Sequence, residues 1–204
     1  ISEGLVGSEM CIRDREYGAD SVRVGLMLSS AAGNDLLFDE SLCQQGKNFT
    51  NKIWNAIKLV NGWEVDDKKS QPVENKLALN WYNNKFHNTL ELINKNFDNY
   101  RISDVLMTSY KLIWDDFCSW LLEILKPNYG EKIDKESMTE LIELFEKNLK
   151  ILHPFMPFLT EEIYHNIPHT DTSDALTISS WPANEKYLSS VVDEFEITKE
   201  IISQ

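Results

Sequence analysis

The sequence predicts an all-α fold, an antiparallel helical bundle, on three observations. Apolar side chains recur at Met138, Ile142, Phe145, Leu149, Leu152, Met156, Leu159 and Ile163 with alternating spacings of four and three, which keeps them on one helical stripe. Comparable stripes run through each long segment between residues 39 and 167, and nowhere in that interval is the period-two alternation of a strand sustained. Short stretches of turn-forming residues separate the stripes, so consecutive helices are joined by short connectors and pack antiparallel, roughly 20° from alignment.

Taken in order, residues 1–16 show neither a clean period nor caps. From Tyr17 the pattern changes: Asp20 is suited to cap a short helix through Leu28, with Val22 and Leu26 inward and Ser29 and Ser30 as further candidates for that side, and Gly33-Asn34-Asp35 ends it by turn chemistry. Asp39 and Glu40 open the first long helix, whose inward stripe is Leu42, Gly46, Phe49, Ile53, Ile57 (or Ala56) and Val60, and which stops at Asn61-Gly62. Trp63 to Pro72 reads as a solvated loop. The second long helix runs from about Val73 to Phe97 on Leu79, Tyr82, Phe86, Leu90, Ile93 and Phe97, with Asn99 or Tyr100 marking the turn.

The third long helix starts near Ser103. Leu106, Tyr110, Ile113, Phe117, Trp120 and Ile124 form one stripe, and Met107, Trp114, Cys118, Leu121 and Leu125 widen it, which predicts a central helix covered on two sides and ended by Lys126-Pro127-Asn128-Tyr129-Gly130. Pro154 and Pro157 each lack an amide donor and disfavour helix in the residue before them, so the fourth helix ends near His153 and a fifth begins within the next turn. Thr160, Glu161 and Glu162 suit the first turn of that fifth helix, because a hydroxyl and two carboxylates complement its free amides. Beyond Pro168, Leu176-Thr177-Ile178 and Ser180-Trp181-Pro182 read as a short extended segment that packs Trp181, and Val191, Phe195 and Ile197 as the start of another element.

Composition bounds the function. With 204 residues, 42% hydrophobic, the chain can bury one sizeable core, and it contains no apolar run near the length of a membrane span. Cys11, Cys43 and Cys118 are odd in number and lack CxxC spacing, which reads as reduced thiols in a cytoplasmic protein. A net charge of −13 counts against DNA and against nucleic acid in general, but its distribution matters more than its sum. Residues 41–60 carry Lys47, Lys52 and Lys58 and no acid, whereas residues 151–204 hold nine acids against Lys186 and Lys199.

No nucleophile elbow, Gly-rich phosphate loop or paired CxxC occurs, and no catalytic residue is assigned. His165 and His169 are four apart, but Pro168 interrupts the helix and no further ligand completes a metal site. His153 reads as a helix C-cap, and Asp115-Asp116 as solvated or locally paired carboxylates, since adjacent helix positions point in different directions. On the first long helix, Lys47, Asn48, Asn51, Lys52 and Asn55 cover two adjacent faces. Such ammonium and amide groups can contact phosphates and unpaired base edges, or equally satisfy neighbouring loop backbone.

Four phrases then identify a family. Tyr17-Gly18-Ala19-Asp20-Ser21-Val22-Arg23, Gly33-Asn34-Asp35-Leu36-Leu37-Phe38-Asp39-Glu40, Asn48-Phe49-Thr50-Asn51-Lys52-Ile53-Trp54-Asn55-Ala56 and His153-Pro154-Phe155-Met156-Pro157-Phe158 resemble the class I aminoacyl-tRNA synthetases of the branched aliphatic amino acids. The second phrase, with Trp114-Asp115-Asp116-Phe117-Cys118-Ser119-Trp120, is similar to the valyl-tRNA synthetases within that family, and the match runs from residue 17 to about 185.

The resemblance implies that residues 17–38 are the end of a catalytic core and its connection, residues 39–170 a helical anticodon-binding domain, and residues 171–204 a linker toward a C-terminal region missing here. Residues 1–16 do not match and are expected to be a leader of junction origin. The enzymes it resembles attach valine to tRNA(Val) with ATP and Mg²⁺. Their activation and editing sites lie in other domains, so this piece is expected to dock tRNA, hold no cofactor or metal of its own and remain inactive alone. The RNA contacts are expected on Lys47, Asn48, Asn51, Lys52 and Asn55, with Arg101 a weaker phosphate contact; the resemblance favours RNA over loop backbone for this helix without fixing individual contacts, and the expected partners are tRNA(Val) and the rest of the same chain, with no membrane and no DNA. A helical protein-interaction module, or the same domain of an isoleucyl or leucyl relative, stays open as an alternative.

Overall fold

Caps and apolar stripes set the helix limits in the computed structural model, which describes residues 15–29, 39–168 and 175–202. The helices are α1 (Ala19–Ser29), α2 (Glu40–Asn61), α3 (Val73–Asp98), α4 (Ile102–Lys111), α5 (Leu122–Leu125), α6 (Lys135–Leu152), α7 (Pro157–His165) and α8 (Ser189–Ile202). The Asp39 carboxylate opens α2 by accepting from Ser41 N at 2.8 Å, and Asp134 opens α6 by accepting from Ser137 N at 2.8 Å, as capping carboxylates do. Tyr100, at φ 57°, turns the chain from α3 into α4. The all-α bundle is thus as predicted. Ser30, Gly33-Asn34-Asp35, Cys11 and His169 lie outside the described residues.

One apolar core joins the elements. Phe117 meets Tyr82 at 5.4 Å and Phe145 at 5.1 Å between ring centroids, tying the third long helix to α3 and α6. The stripe from Met138 to Ile163 is buried throughout except at half-buried Leu159, so one stripe does serve α6 and α7 across both prolines. No described helix is long and apolar enough to cross a membrane.

Five local expectations are corrected. Trp63–Pro72 is not wholly a loop: Val65–Asp66 (β1) pairs in parallel with Ile133–Asp134 (β2), because Ile133 is drawn into the core and its amide, buried with it, needs the Glu64 carbonyl at 2.9 Å. The third long helix is not α-helical throughout. Between α4 and α5, Leu112–Leu121 is a π-helix, in which the Leu122 amide reaches back to the Phe117 carbonyl and the Ser119 hydroxyl to that of Trp114 at 2.9 Å. The wider turn brings Asp116 inside beside Ile113 and Phe117.

The fifth helix, α7, starts on Pro157, so Glu161 and Glu162 fall beyond its first turn. Its anionic cap comes from Asp20 instead, whose Oδ2 accepts from Leu159 N at 2.6 Å; Asp20 therefore caps α7 rather than its own helix. Leu176–Ile178 is a 3₁₀ turn, not an extended segment, because Glu161 accepts from the amides of Leu176 at 2.9 Å and Thr177 at 3.2 Å. Trp181 packs edge-on against Phe97 at 5.7 Å and donates to Asn94 Oδ1 at 3.0 Å. The element signalled by Val191 and Phe195 is α8, whose Phe195 stacks on Trp81 at 4.0 Å.

Candidate nucleic-acid interface

α2 separates its residues by chemistry. Cys43, Gly46, Phe49, Ile53, Ala56, Ile57 and Val60 are buried, while Gln44, Asn48, Asn51, Asn55 and Lys58 form an exposed stripe with spacings of four, three, four and three. From Gln44 to Asn55 that amide-rich stripe runs about 16 Å along the helix. Gln44 donates to Asn48 Oδ1 at 3.0 Å. Among the described residues the side-chain amides of Asn51 and Asn55 have no hydrogen-bond partner, so the alternative that they satisfy loop backbone is not what the described contacts contain.

Lys47 and Lys52 flank this stripe and Lys58 ends it. Lys52 lies over the Trp114 ring at 5.4 Å, Lys58 over Trp54 at 5.5 Å, and Lys47 over Tyr17 at 5.6 Å. Among the described residues no carboxylate is within ion-pair distance of any of the three. A cation on a ring face is held in place without being neutralised. Lys47 is partly committed, since its Nζ donates to the Glu16 carbonyl at 2.9 Å.

Two further residues, which periodicity places only in packing stripes, join this face in the structure. Tyr110 stacks on Trp114 with centroids 5.5 Å apart and planes 10° off parallel, and both lean on buried Phe49, at 4.5 and 6.3 Å. Both rings are half-buried, so each keeps surface open beside Lys52. Burial raises the Tyr110 phenol above its ordinary range, against the lowering effect of its hydrogen bond with Gln45. Sequence signals for this pair existed only as membership of a helical stripe; its meeting with Lys52 is tertiary.

The remaining candidates separate from this face. Arg101, at the turn before α4, pairs with Asp104 at 2.8 Å, and no described contact brings it to α2. His153 caps α6 and its Nδ1 meets Thr160 Oγ1 at 2.8 Å. Cys118 is buried and free, its thiol pushed up to about 12 by desolvation, which makes it inert as a nucleophile. Asp115 is exposed, whereas Asp116 is buried and paired with Lys199 at 2.7 Å and Lys85 at 3.9 Å. His165 meets Glu161 at 3.3 Å.

Residues 80–204 match the family model of the anticodon-binding domain of tRNA ligase. The chain belongs to that family. It is 53% identical over 188 residues to the valine–tRNA ligase of Christiangramia forsetii, an alignment covering 92% of this chain and 22% of that protein. It is 44% identical over 187 residues to the valine–tRNA ligase of Parabacteroides distasonis and 36% identical over 185 residues to that of Thermotoga maritima, covering 92% and 90% of this chain and 21% of each relative. The chain therefore spans about a fifth of the length of these relatives. The family match begins within α3, but an alignment over 92% of 204 residues necessarily includes α2 as well.

Proposed function

We propose that this chain holds the anticodon region of tRNA(Val) on the outer face of α2, as the RNA-docking part of a cytoplasmic valine–tRNA ligase. Lys52 and Lys58 supply phosphate contacts, Asn48, Asn51 and Asn55 reach base edges, and the Tyr110–Trp114 pair offers an aromatic surface for an unstacked base. Lys47 and Arg101 are secondary phosphate contacts, since each is already engaged within the chain. The proposal assigns ATP, Mg²⁺ and the chemistry of valine activation to polypeptide outside these residues.

The observation that carries it is the set of uncompensated lysines on α2, held over rings beside unpartnered amides, in a chain whose net charge is −13. The family membership and the valine–tRNA ligase relatives support the same reading. The test is binding of a fluorescent anticodon stem–loop of tRNA(Val), read by anisotropy. Trp114→Ala is expected to cost about 1–3 kcal/mol of affinity if a base stacks there. Replacing the anticodon bases should weaken binding, and equal affinity for any stem–loop would remove the recognition part of the proposal.

A further inference from the structure

α1 is held to the bundle by polar contacts that span most of the chain. Asp20 Oδ2 accepts from Leu159 N at 2.6 Å, in the first turn of α7. Three residues on, Arg23 Nε donates to the Phe155 carbonyl at 3.2 Å and its Nη2 to the Pro154 carbonyl at 3.1 Å. Residues three apart share a helix face, so one face of α1 presents an anion to the amides that open α7 and a cation to the carbonyls that follow α6. The opposite charges match the opposite polarities of the two helix ends that meet at the proline corner.

The corner is itself braced: buried Thr160 donates to the Met156 carbonyl at 2.8 Å and meets His153 Nδ1 at 2.8 Å. Other contacts fix the rest of α1. Ser103 Oγ donates to the Met27 carbonyl at 2.7 Å. α1 and α2 cross so closely that a Cβ on Gly46 would stand 2.6 Å from the Ser21 carbonyl oxygen, and one on Gly25 would stand 2.9 Å from the Cys43 amide. A slack tether would need none of these contacts.

We infer that Asp20 and Arg23 are positioning residues that make α1 a rigid extension of the bundle. The RNA-holding face then keeps a fixed orientation relative to the polypeptide entering α1. Resting on the function proposed above, this sets the distance and angle between the anticodon contact and the end of the tRNA where the ligase reacts. A misplacement of about 1 Å at a reacting centre can cost on the order of a hundredfold in rate, so a loosened α1 should be costly even with RNA binding intact.

The test compares the full-length ligase carrying this sequence with its Asp20→Asn and Arg23→Gln variants. Hydrogen exchange of α1 amides is expected to rise about tenfold while α3 and α6 stay protected. Stem–loop affinity should stay within about twofold, as expected for sites without shared partners. The kcat/KM for tRNA charging should fall about tenfold or more, with amino-acid activation unchanged, and Arg23→Lys should recover part of the loss because its ammonium can still reach one carbonyl. Unaltered α1 exchange, or loosened α1 with wild-type charging, would overturn the inference. Failure of the unaltered protein to bind the stem–loop would count against the RNA reading, while the exchange measurement would still decide the clamp.

Discussion

Lys52 and Lys199 both lie over tryptophans of the same π segment, and they are treated in opposite ways. Lys199 sits over Trp120 at 5.5 Å and over Trp81 at 5.1 Å, and it also reaches Asp116 at 2.7 Å and Glu196 at 2.9 Å. Burial pulls its ammonium pKa down, but the two carboxylates outweigh that and the net shift is upward. Lys52, over Trp114, is half-buried and meets no carboxylate among the described residues. The chain has 33 acids for 20 lysines and arginines, so acids are not scarce. Where a charge secures an element, here α8, the fold encloses it with counter-charges. On α2 the charge has no counter-charge among the described residues, as the proposed RNA face requires.

The largest effect that could break this comparison comes from the enclosed side. Asp116→Ala leaves Lys199 and Lys85 with only Glu196, 2.9 Å from each, in a largely buried site, and is expected to cost about 1.5–3 kcal/mol of stability. Denaturant titration checks the magnitude, and anisotropy checks that the protein still folded under native conditions binds the stem–loop as before. A loss below about 1 kcal/mol, the range of exposed pairs, would show that the two lysines are not distinct in kind.

The sequence revealed the helices far better than what crosses between them. Capping by Asp39 and the stripe from Met138 to Ile163 are local facts, set by residues within a few turns of each other, and periodicity reads them directly. Asp20 lies 139 residues from the amide it caps, and local reasoning assigned it to the nearest helix. The π-helix was hidden because Leu112–Leu121 is apolar enough to satisfy several helical periods. The lysines and asparagines of α2 were legible as a polar face, but Trp114 looked like core, because its exposure beside Lys52 depends on how two helices cross.

A smaller effect separates the corner from the α2 face by pH. Burial raises the Asp20 carboxyl above the ordinary aspartate range, against the amides of Leu159 and Phe158 and the charge of Arg23. Between the ordinary and the raised value the folded state holds more protons than the unfolded chain, so stability falls as pH rises through that window. This contribution is fully present below the ordinary value and lost above the folded one. Asp20→Asn removes that slope, and the difference between the unfolding free energies of variant and unaltered protein should change across the window in the variant's favour. A difference independent of pH would contradict the burial of Asp20.

The smallest stability change belongs to Lys52→Ala, expected within about 0.5 kcal/mol, and it carries the most direct test of the central claim. The measurement is the salt dependence of anticodon stem–loop binding for Lys52→Ala and for Lys126→Ala, which removes the same charge from an exposed lysine paired with Glu123 at 3.4 Å. If α2 holds RNA phosphate, Lys52→Ala lowers the slope of log affinity against log salt by roughly one while Lys126→Ala leaves it unchanged. Equal slopes for both variants and the unaltered protein, or an equal loss in both, would contradict the assignment of this face to RNA.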